Sequence, residues 1–277
     1  MEKELGKIGI SKIINMILVF AVSILFIFPL YWIITGALKD NLAIIARVPE
    51  WFPKNPTMAN FERLFNQPAG AWMMNTVLMA ALSTLLTCVA ASMAGYALAK
   101  KRFPGRNIIF TLMVCAMALP KQVTVIPLLK QMNFFGLHDN IWAIILPTVA
   151  WPFGVFLMKQ FSEGVSDEII EAAKVDGASE AKTFIDVIVP MVRPGIGALA
   201  IFTFVTAWND YFLQLIMLVS RENLTISLGI ATLQAESSTD FGLIMAGACL
   251  AAIPIITVFI AFQKYFTQGI AMGAVKG

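Results

Sequence analysis

Few residues in this 277-residue chain could do chemistry, and their types exclude most kinds of it. His138 is the only histidine, so neither an imidazole metal cage nor a Ser/His/Asp triad can be assembled. Cys88, Cys115 and Cys249 each sit inside an apolar run, with no CxxC or Cys/His spacing, and read as small packing residues. No GxxxxGK[ST] phosphate loop occurs, so an ATP-driven process would need its nucleotide site on another chain. What remains are polar groups set in apolar surroundings. Asp210 lies inside the run Gly195–Ser220, and Lys121 lies between Pro120 and Pro127. A carboxylate within a membrane span costs about 2.5–3.5 kcal/mol on insertion scales and therefore faces a cavity or a partner. On a helix, Trp208, Asn209 and Asp210 point in three directions about 100° apart, with Gln214 one turn from Asp210 on its face. An indole beside amide and carboxylate groups suits sugars, whose C–H faces stack on rings while their hydroxyls need donors and acceptors. The residues leave Asp210 open between pore lining and inter-helix hydrogen bonding. Lys121 reads first as a cation snorkelling to headgroups, with an unwound cavity-lining segment as the alternative.

The elements that must position these groups follow from composition. Hydrophobic residues make up 58% of the chain and charged residues 13%, where soluble domains carry roughly 25% charged. With a mean hydropathy of +0.78, one buried core cannot absorb the deficit, because a single domain still needs a polar surface. The surrounding solvent is largely lipid. The net charge of +3 is modest, and nothing in it points to nucleic acid.

A bilayer core needs about 20 apolar residues per helix, and six windows meet that length: about 13–37, 72–99, 108–129, 140–158, 195–220 and 242–262. Pro120, Lys121 and Pro127 interrupt the third, and Pro147 and Pro152 the fourth, so both are expected to kink. The fold class expected is all-α, a polytopic membrane protein of six transmembrane helices. An even number places the N-terminal segment 1–12 and the tail 263–277 on one side. Lys and Arg select that side: Lys3, Lys7, Lys12, Lys100, Lys101, Arg102, Arg106, Lys159, Lys174, Lys182, Arg193, Lys264 and Lys276 gather on one face, leaving seven of the 20 for the other. The first face is read as cytoplasmic. The first apolar run is too long for a signal-peptide core and lacks an A-x-A exit, so it is expected to remain as a span.

Of the loops, the outer stretch 39–71 is Pro-rich and aromatic, and Thr57 can cap a short helix over Ala59–Phe65, which predicts a folded outer cap. A second outer loop, Arg221 to Phe241, reads as polar connection. The cytoplasmic loop 159–193 carries seven acids. Ser166 before Asp167 and Glu168 is a helix start, with a hydroxyl cap and acids in the first turn. Gly177 can take a positive φ to end that helix, and Ser179 can cap a second one running to Pro190. Two short amphipathic helices outside the membrane either lie on lipid or dock in a groove of another protein, and their acids argue against anionic lipid.

In this loop Glu171-Ala172-Ala173, Gly177 and Val187-Ile188-Val189-Pro190 stand at the spacing of the EAA signature, and the chain resembles the membrane subunits of ABC importers. That signature ends in I-x-L-P, from which this chain departs by Val187 for Ile and Val189 for Leu. Further stretches resemble the permeases for oligosaccharides and glycerol-phosphate-type solutes, the maltose-permease type with six spans. These are Trp51-Phe52-Pro53 through Phe65, Ile126-Pro127, Gly136 to Asn140, Val175 to Glu180, Trp208 to Tyr211, and the tail from Gln263 to Gly277.

The resemblance implies a type I ABC importer transmembrane-domain fold in a bacterial cytoplasmic (inner) membrane. It implies four partners: a second, paralogous permease subunit, a cytoplasmic ATPase dimer, an extracytoplasmic solute-binding protein and the lipid bilayer. It implies no catalytic residue, no metal and no cofactor in this chain, with ATP and Mg on the partner ATPase. Glu171, Ala172, Ala173, Asp176, Gly177 and Pro190 would couple to the ATPase, and Trp208, Asn209, Asp210 and Gln214 are the candidates for pore or substrate contact. The rival readings are a solvated surface helix at the EAA loop, a homodimeric permease for a non-sugar solute, and a secondary transporter, for which one buried acid and no internal repeat are thin support.

Overall fold

The structure, a computed structural model, describes residues 10–236 and 239–274, with side chains from residue 12 to residue 263 outside that gap. Lys3, Lys7 and Lys276, and the side chain of Lys264, on which part of the orientation argument rests, lie outside it. The regular elements among the described residues are all helical: α1 (Ile10–Ala37), α2 (Asn41–Ile44), α3 (Ala59–Phe65), α4 (Ala69–Lys100), α5 (Arg106–Met117), α6 (Lys121–Phe134), α7 (Trp142–Val149), α8 (Pro152–Glu163), α9 (Asp167–Val175), α10 (Glu180–Lys182), a π segment (Thr183–Ile188), α11 (Val189–Met191), α12 (Arg193–Asn209), α13 (Tyr211–Met217), a 3-10 turn (Arg221–Asn223), α14 (Ile226–Glu236) and α15 (Phe241–Ala274). Among the described residues, four stretches are long and apolar enough to cross a membrane: Lys12–Ala37, Ala69–Lys100, Trp142–Glu163 and Phe241–Gln263. Counting each of two bent helix pairs as one span raises the number to six. None of the most apolar window of α1 is buried within the chain, as befits a helix whose solvent is hydrocarbon.

Contacts divide the chain into a smaller unit, the chain up to Ala69 with Ile230–Ala252, and a larger one, Gly70–Gly229 with the chain from Ile253. In the smaller unit the stretch after α1 is folded. The Thr57 hydroxyl accepts the Ala59 N–H at 3.1 Å at the start of α3. Asn60, buried, donates to the carbonyls of Ala37 and Lys39, both at 2.8 Å. The Lys39 ammonium, buried against Trp32 and hydrogen-bonded to the Glu50 carbonyl, is pushed below its ordinary pKa by burial, partly offset by the Glu50 charge.

In the larger unit, proline shapes three of the helix breaks. The residue before a proline is driven from helical to extended backbone, and Trp151, at φ −68° and ψ 127°, separates α7 from α8 ahead of Pro152. Pro120 ends the turn after α5, and α6 leaves at 106° to it, a sharper break than the kink expected of the third window. Pro190 has no N–H for the Asp186 carbonyl and crowds it, and the helix entering it widens into the π segment. Two sequence expectations need correction. Gly195–Ser220 is not one helix: α12 stops at Asn209, Asp210 adopts φ −76° and ψ 67°, and its carboxylate caps α13 by accepting the Leu213 N–H at 3.3 Å. The expected polar connection after Arg221 is mostly α14, because Ile226, Leu228 and Leu233 are buried.

Helices α4 and α8 approach to backbone contact at Gly95, where a Cβ would meet Lys159 N and Met158 C at 2.7 Å. Beside this contact Tyr96, Met158, Val165, Ile170, Ile188, Val192 and Leu199 form a buried cluster that ties the 159–193 loop to α4 and α12.

Candidate functional site

The larger unit holds two assemblies built from the residues singled out in the sequence. The first is the 159–193 loop. Ser166 Oγ accepts the Glu168 N–H and Ser179 Oγ accepts the Lys182 N–H, each at 3.3 Å. Between them Gly177, at φ +80°, closes α9 with a paired turn: its N–H donates to Lys174 O and the Ala178 N–H to Ala173 O, both at 3.0 Å. Glu171, Ala172, Asp176 and Gly177 are exposed, Ala173 is half-buried, and Pro190 is exposed further on. Beside them Val175, 88% exposed, and the partly exposed Ile169 present apolar surface.

Ion pairs fix the base of this knob to the end of α4. Lys100 Nζ donates to Val165 O at 2.6 Å and to Asp167 Oδ1 at 2.7 Å. Lys101 bonds Glu180, which also faces Lys174 at 3.5 Å. The hydrogen bond from Lys100 holds the Asp167 carboxyl below its ordinary pKa, and that from Lys101 does the same for Glu180. Burial would lower the Lys101 ammonium, but hydrogen bonds with Glu180 and Tyr96 outweigh it and raise its pKa.

The second assembly is a cavity of about 240 Å³ among α4, α6, α7, α8, α12 and α13. Three interruptions of helical backbone meet at it: the start of α6 at Lys121, the pre-proline Trp151, and Asp210. Lys121 and Asp210 pair across it at 3.7 Å, and the Lys121 ammonium stands 4.8 Å from the Trp151 ring centroid. Lys121 therefore faces a cavity partner rather than headgroups alone.

Of the four pore candidates, only Asp210 lines this cavity. Trp208 is buried and stacked on Phe204. Asn209 is exposed and donates back to Val205 O at 2.8 Å. Gln214 is fully buried, where it donates to Ala207 O at 3.1 Å and accepts from the Thr225 hydroxyl at 2.5 Å. It thereby satisfies a carbonyl near the broken end of α12, as buried non-helical backbone requires. Trp151, Thr87 and Thr203 also line the cavity and were not singled out from sequence. The Trp-Pro pair in a charge-free window was the available signal for the first.

Asp139 takes φ +60° in the turn before α7. Its carboxylate accepts the N–H groups of Val219 and Ser220 at 2.8 and 2.9 Å, the Ser220 hydroxyl at 2.5 Å and the Asn223 amide at 3.1 Å. Burial alone would raise its pKa, but these hydrogen bonds prevail and lower it to about 2.

An all-helical, multi-pass protein whose helices break around an interior cavity, with an anchored helical knob outside the apolar windows, has the architecture of a transporter membrane domain. A chain of a bacterial ABC transporter involved in the import of the acidic polysaccharide alginate shares this fold, with a TM-score of 0.80 at 21% identity over 93% of this chain and 96% of that one. Residues 87–272 match the family described as binding-protein-dependent transport system inner membrane component, and the chain belongs to that family. It is similar to the arabinooligosaccharides transport system permease protein AraQ of Bacillus subtilis (strain 168), 33% identical over 260 residues and 92% of each chain. It is also similar to the lactose transport system permease protein LacG of Rhizobium radiobacter, 33% identical over 251 residues, 90% of this chain and 91% of that one. The protein is thus a permease subunit of a bacterial inner-membrane ABC importer, and not itself an enzyme.

Proposed function

We propose that this chain forms half of a translocation pathway for a carbohydrate. A second, paralogous permease supplies the other half, a cytoplasmic ATPase dimer holding ATP and Mg drives it, and an extracytoplasmic solute-binding protein loads it at the outer loops. Both termini are cytoplasmic in this reading. The observation that carries it is the knob around Gly177. Its exposed Val175 and Ile169 are apolar surface outside the spans, Glu171 offers a carboxylate to a basic or backbone donor of the ATPase, and Ala172 permits close approach. The Lys100 and Lys101 anchors give that knob a rigid connection to α4, so movement of the docked ATPase is passed to a long spanning helix. The carbohydrate class is supported by the relatives, permeases of arabinooligosaccharide and lactose systems.

The test is mass-spectrometric identification of what co-purifies with the chain in mild detergent, with Glu171→Lys and Gly177→Asp as controls. An ATPase and a second permease should be recovered with the wild type. Both substitutions should release the ATPase, and Gly177→Asp should abolish uptake while membrane insertion survives. A wild type that purifies without an ATPase, or normal uptake in Gly177→Asp, refutes the reading.

A further inference from the structure

A span interrupted once is unexceptional, but here three interruptions, at Lys121, Trp151 and Asp210, come from distant parts of the sequence and line one cavity. Non-helical backbone at membrane depth is tolerated where it is buried or borders a water-filled space, and discontinuous helices mark binding sites in other transporters. The space of about 240 Å³ far exceeds one water's share of roughly 30 Å³ and approaches the lower end of ligand pockets, about 300 Å³. Its volume suits one sugar ring rather than a chain of rings.

The polar groups around this space have unused capacity. At 3.7 Å, Lys121 and Asp210 attract each other but do not hydrogen-bond. The Thr87 side chain, on a residue only 3% exposed, lines the cavity, and its buried hydroxyl has no hydrogen-bond partner among the described residues. The hydroxyl is closed off from the cavity as packed; a χ1 rotation exchanging it with the methyl would let a ligand hydroxyl relieve the roughly 1–3 kcal/mol cost of leaving it unpaired. Trp151 supplies an indole for the apolar face of such a ligand. Charge decides the remainder of the specificity. The ammonium and carboxylate cancel, and Asp210 is the more enclosed of the two, with 19% of its side chain exposed against 44% for Lys121. A ligand carboxylate entering here would meet Asp210 at short range.

We propose that this cavity is a saccharide subsite for one uncharged sugar ring, and that the Lys121–Asp210 pair is the specificity determinant excluding acidic sugars. The proposal rests on the carbohydrate-import reading above. Thr87 and the ion pair take the ring hydroxyls, and Trp151 covers its C–H face.

The experiment uses the full chain in lipid nanodiscs prepared without glycoside detergents, which would compete. Saturation-transfer NMR titrations compare methyl β-glucoside with methyl β-glucuronide, which differ only in a CH₂OH and a carboxylate. Wild type should bind the glucoside more tightly than the glucuronide. Asp210→Asn keeps an oxygen to cap α13 and leaves Lys121 unpaired, so it should shift the affinity ratio toward the glucuronide by about tenfold. Lys121→Gln should shift it the other way, and Trp151→Leu should weaken both probes without moving the ratio. Absence of binding by either probe to wild type overturns the proposal. So does a ratio that Asp210→Asn and Lys121→Gln, with unaltered melting temperatures, leave unchanged. Co-purification of the ATPase is scored separately: its loss from wild type would strike the importer reading, while the ratio test alone decides the subsite.

Discussion

Asp139→Ala should loosen the join between α7 and α13 in the larger unit by an amount that the structure allows to be worked out. Asp139 holds four donors from Val219, Ser220 and Asn223, and its own N–H donates to Met217 O at 2.9 Å, so one residue fastens the turn before α7 to the segment after α13. Its pKa falls from 3.8 to about 2, a drop that at ~1.4 kcal/mol per pH unit corresponds to roughly 2.5 kcal/mol. The side chain is only partly covered, so solvent screening reduces this to about 1–1.5 kcal/mol. Removing the carboxylate altogether also leaves two N–H groups dependent on water, bringing the expected cost of Asp139→Ala to about 2 kcal/mol. For a chain of this size that is a melting-temperature loss of roughly 4–8 °C. Asp139→Asn, which keeps one acceptor oxygen, should lose about half as much. The pH dependence has a definite sign. A carboxyl depressed in the folded state contributes fully above its unfolded pKa, near 3.8, and loses that contribution as pH falls toward about 2. Fluorescence melts of wild type and Asp139→Asn in detergent should differ by a constant amount from pH 7 to pH 5 and converge below pH 4. Equal melting temperatures at pH 7, or a gap that does not narrow by pH 3, would refute this account of the clamp.

Two further outcomes follow from the packing. Gln214→Leu should destabilise the chain by about 2–3 kcal/mol, since Ala207 O and the Thr225 hydroxyl lose their partner; it should leave methyl β-glucoside binding unchanged, and a selective loss of binding at unaltered melting temperature would assign Gln214 to the pathway instead. Gly95→Ala should cost about 1–3 kcal/mol by thermal melt, because its Cβ would fall 2.7 Å from backbone atoms of α8 that cannot swing aside; an unchanged melting temperature would mean that α4 and α8 separate freely.

How much was legible in the sequence depended on the range of the physics involved. The knob was readable because its determinants act within a few residues. Ser166 and Ser179 cap the next turn, and Gly177 supplies the one backbone conformation that closes α9. The Thr57 turn before α3 was readable for the same reason. Asp210 was recognisable as costly in an apolar run, yet its consequence was not, since the same carboxylate could have paired across helices or broken its own. It does both, capping α13 and facing Lys121. α14 was hidden by the reading of the stretch after Arg221 as polar connection, because what stabilises it is burial of Ile226, Leu228 and Leu233.

The sequence by itself therefore determined the solvent, the helical class, the acidic loop 159–193 and its two-helix form, because hydropathy, capping and glycine geometry are local quantities summed along the chain. Only the tertiary structure decided which polar groups meet. Thr87, Lys121, Trp151 and Asp210 are separated by 30 or more residues at each step, and no local preference specifies that the breaks beside the last three should line one cavity. Nor could it specify that Trp208 and Gln214, close neighbours of Asp210 in sequence, turn away into the packing. Those outcomes depend on how whole helices satisfy their interrupted backbone against one another, a condition on the assembled fold rather than on any stretch of it.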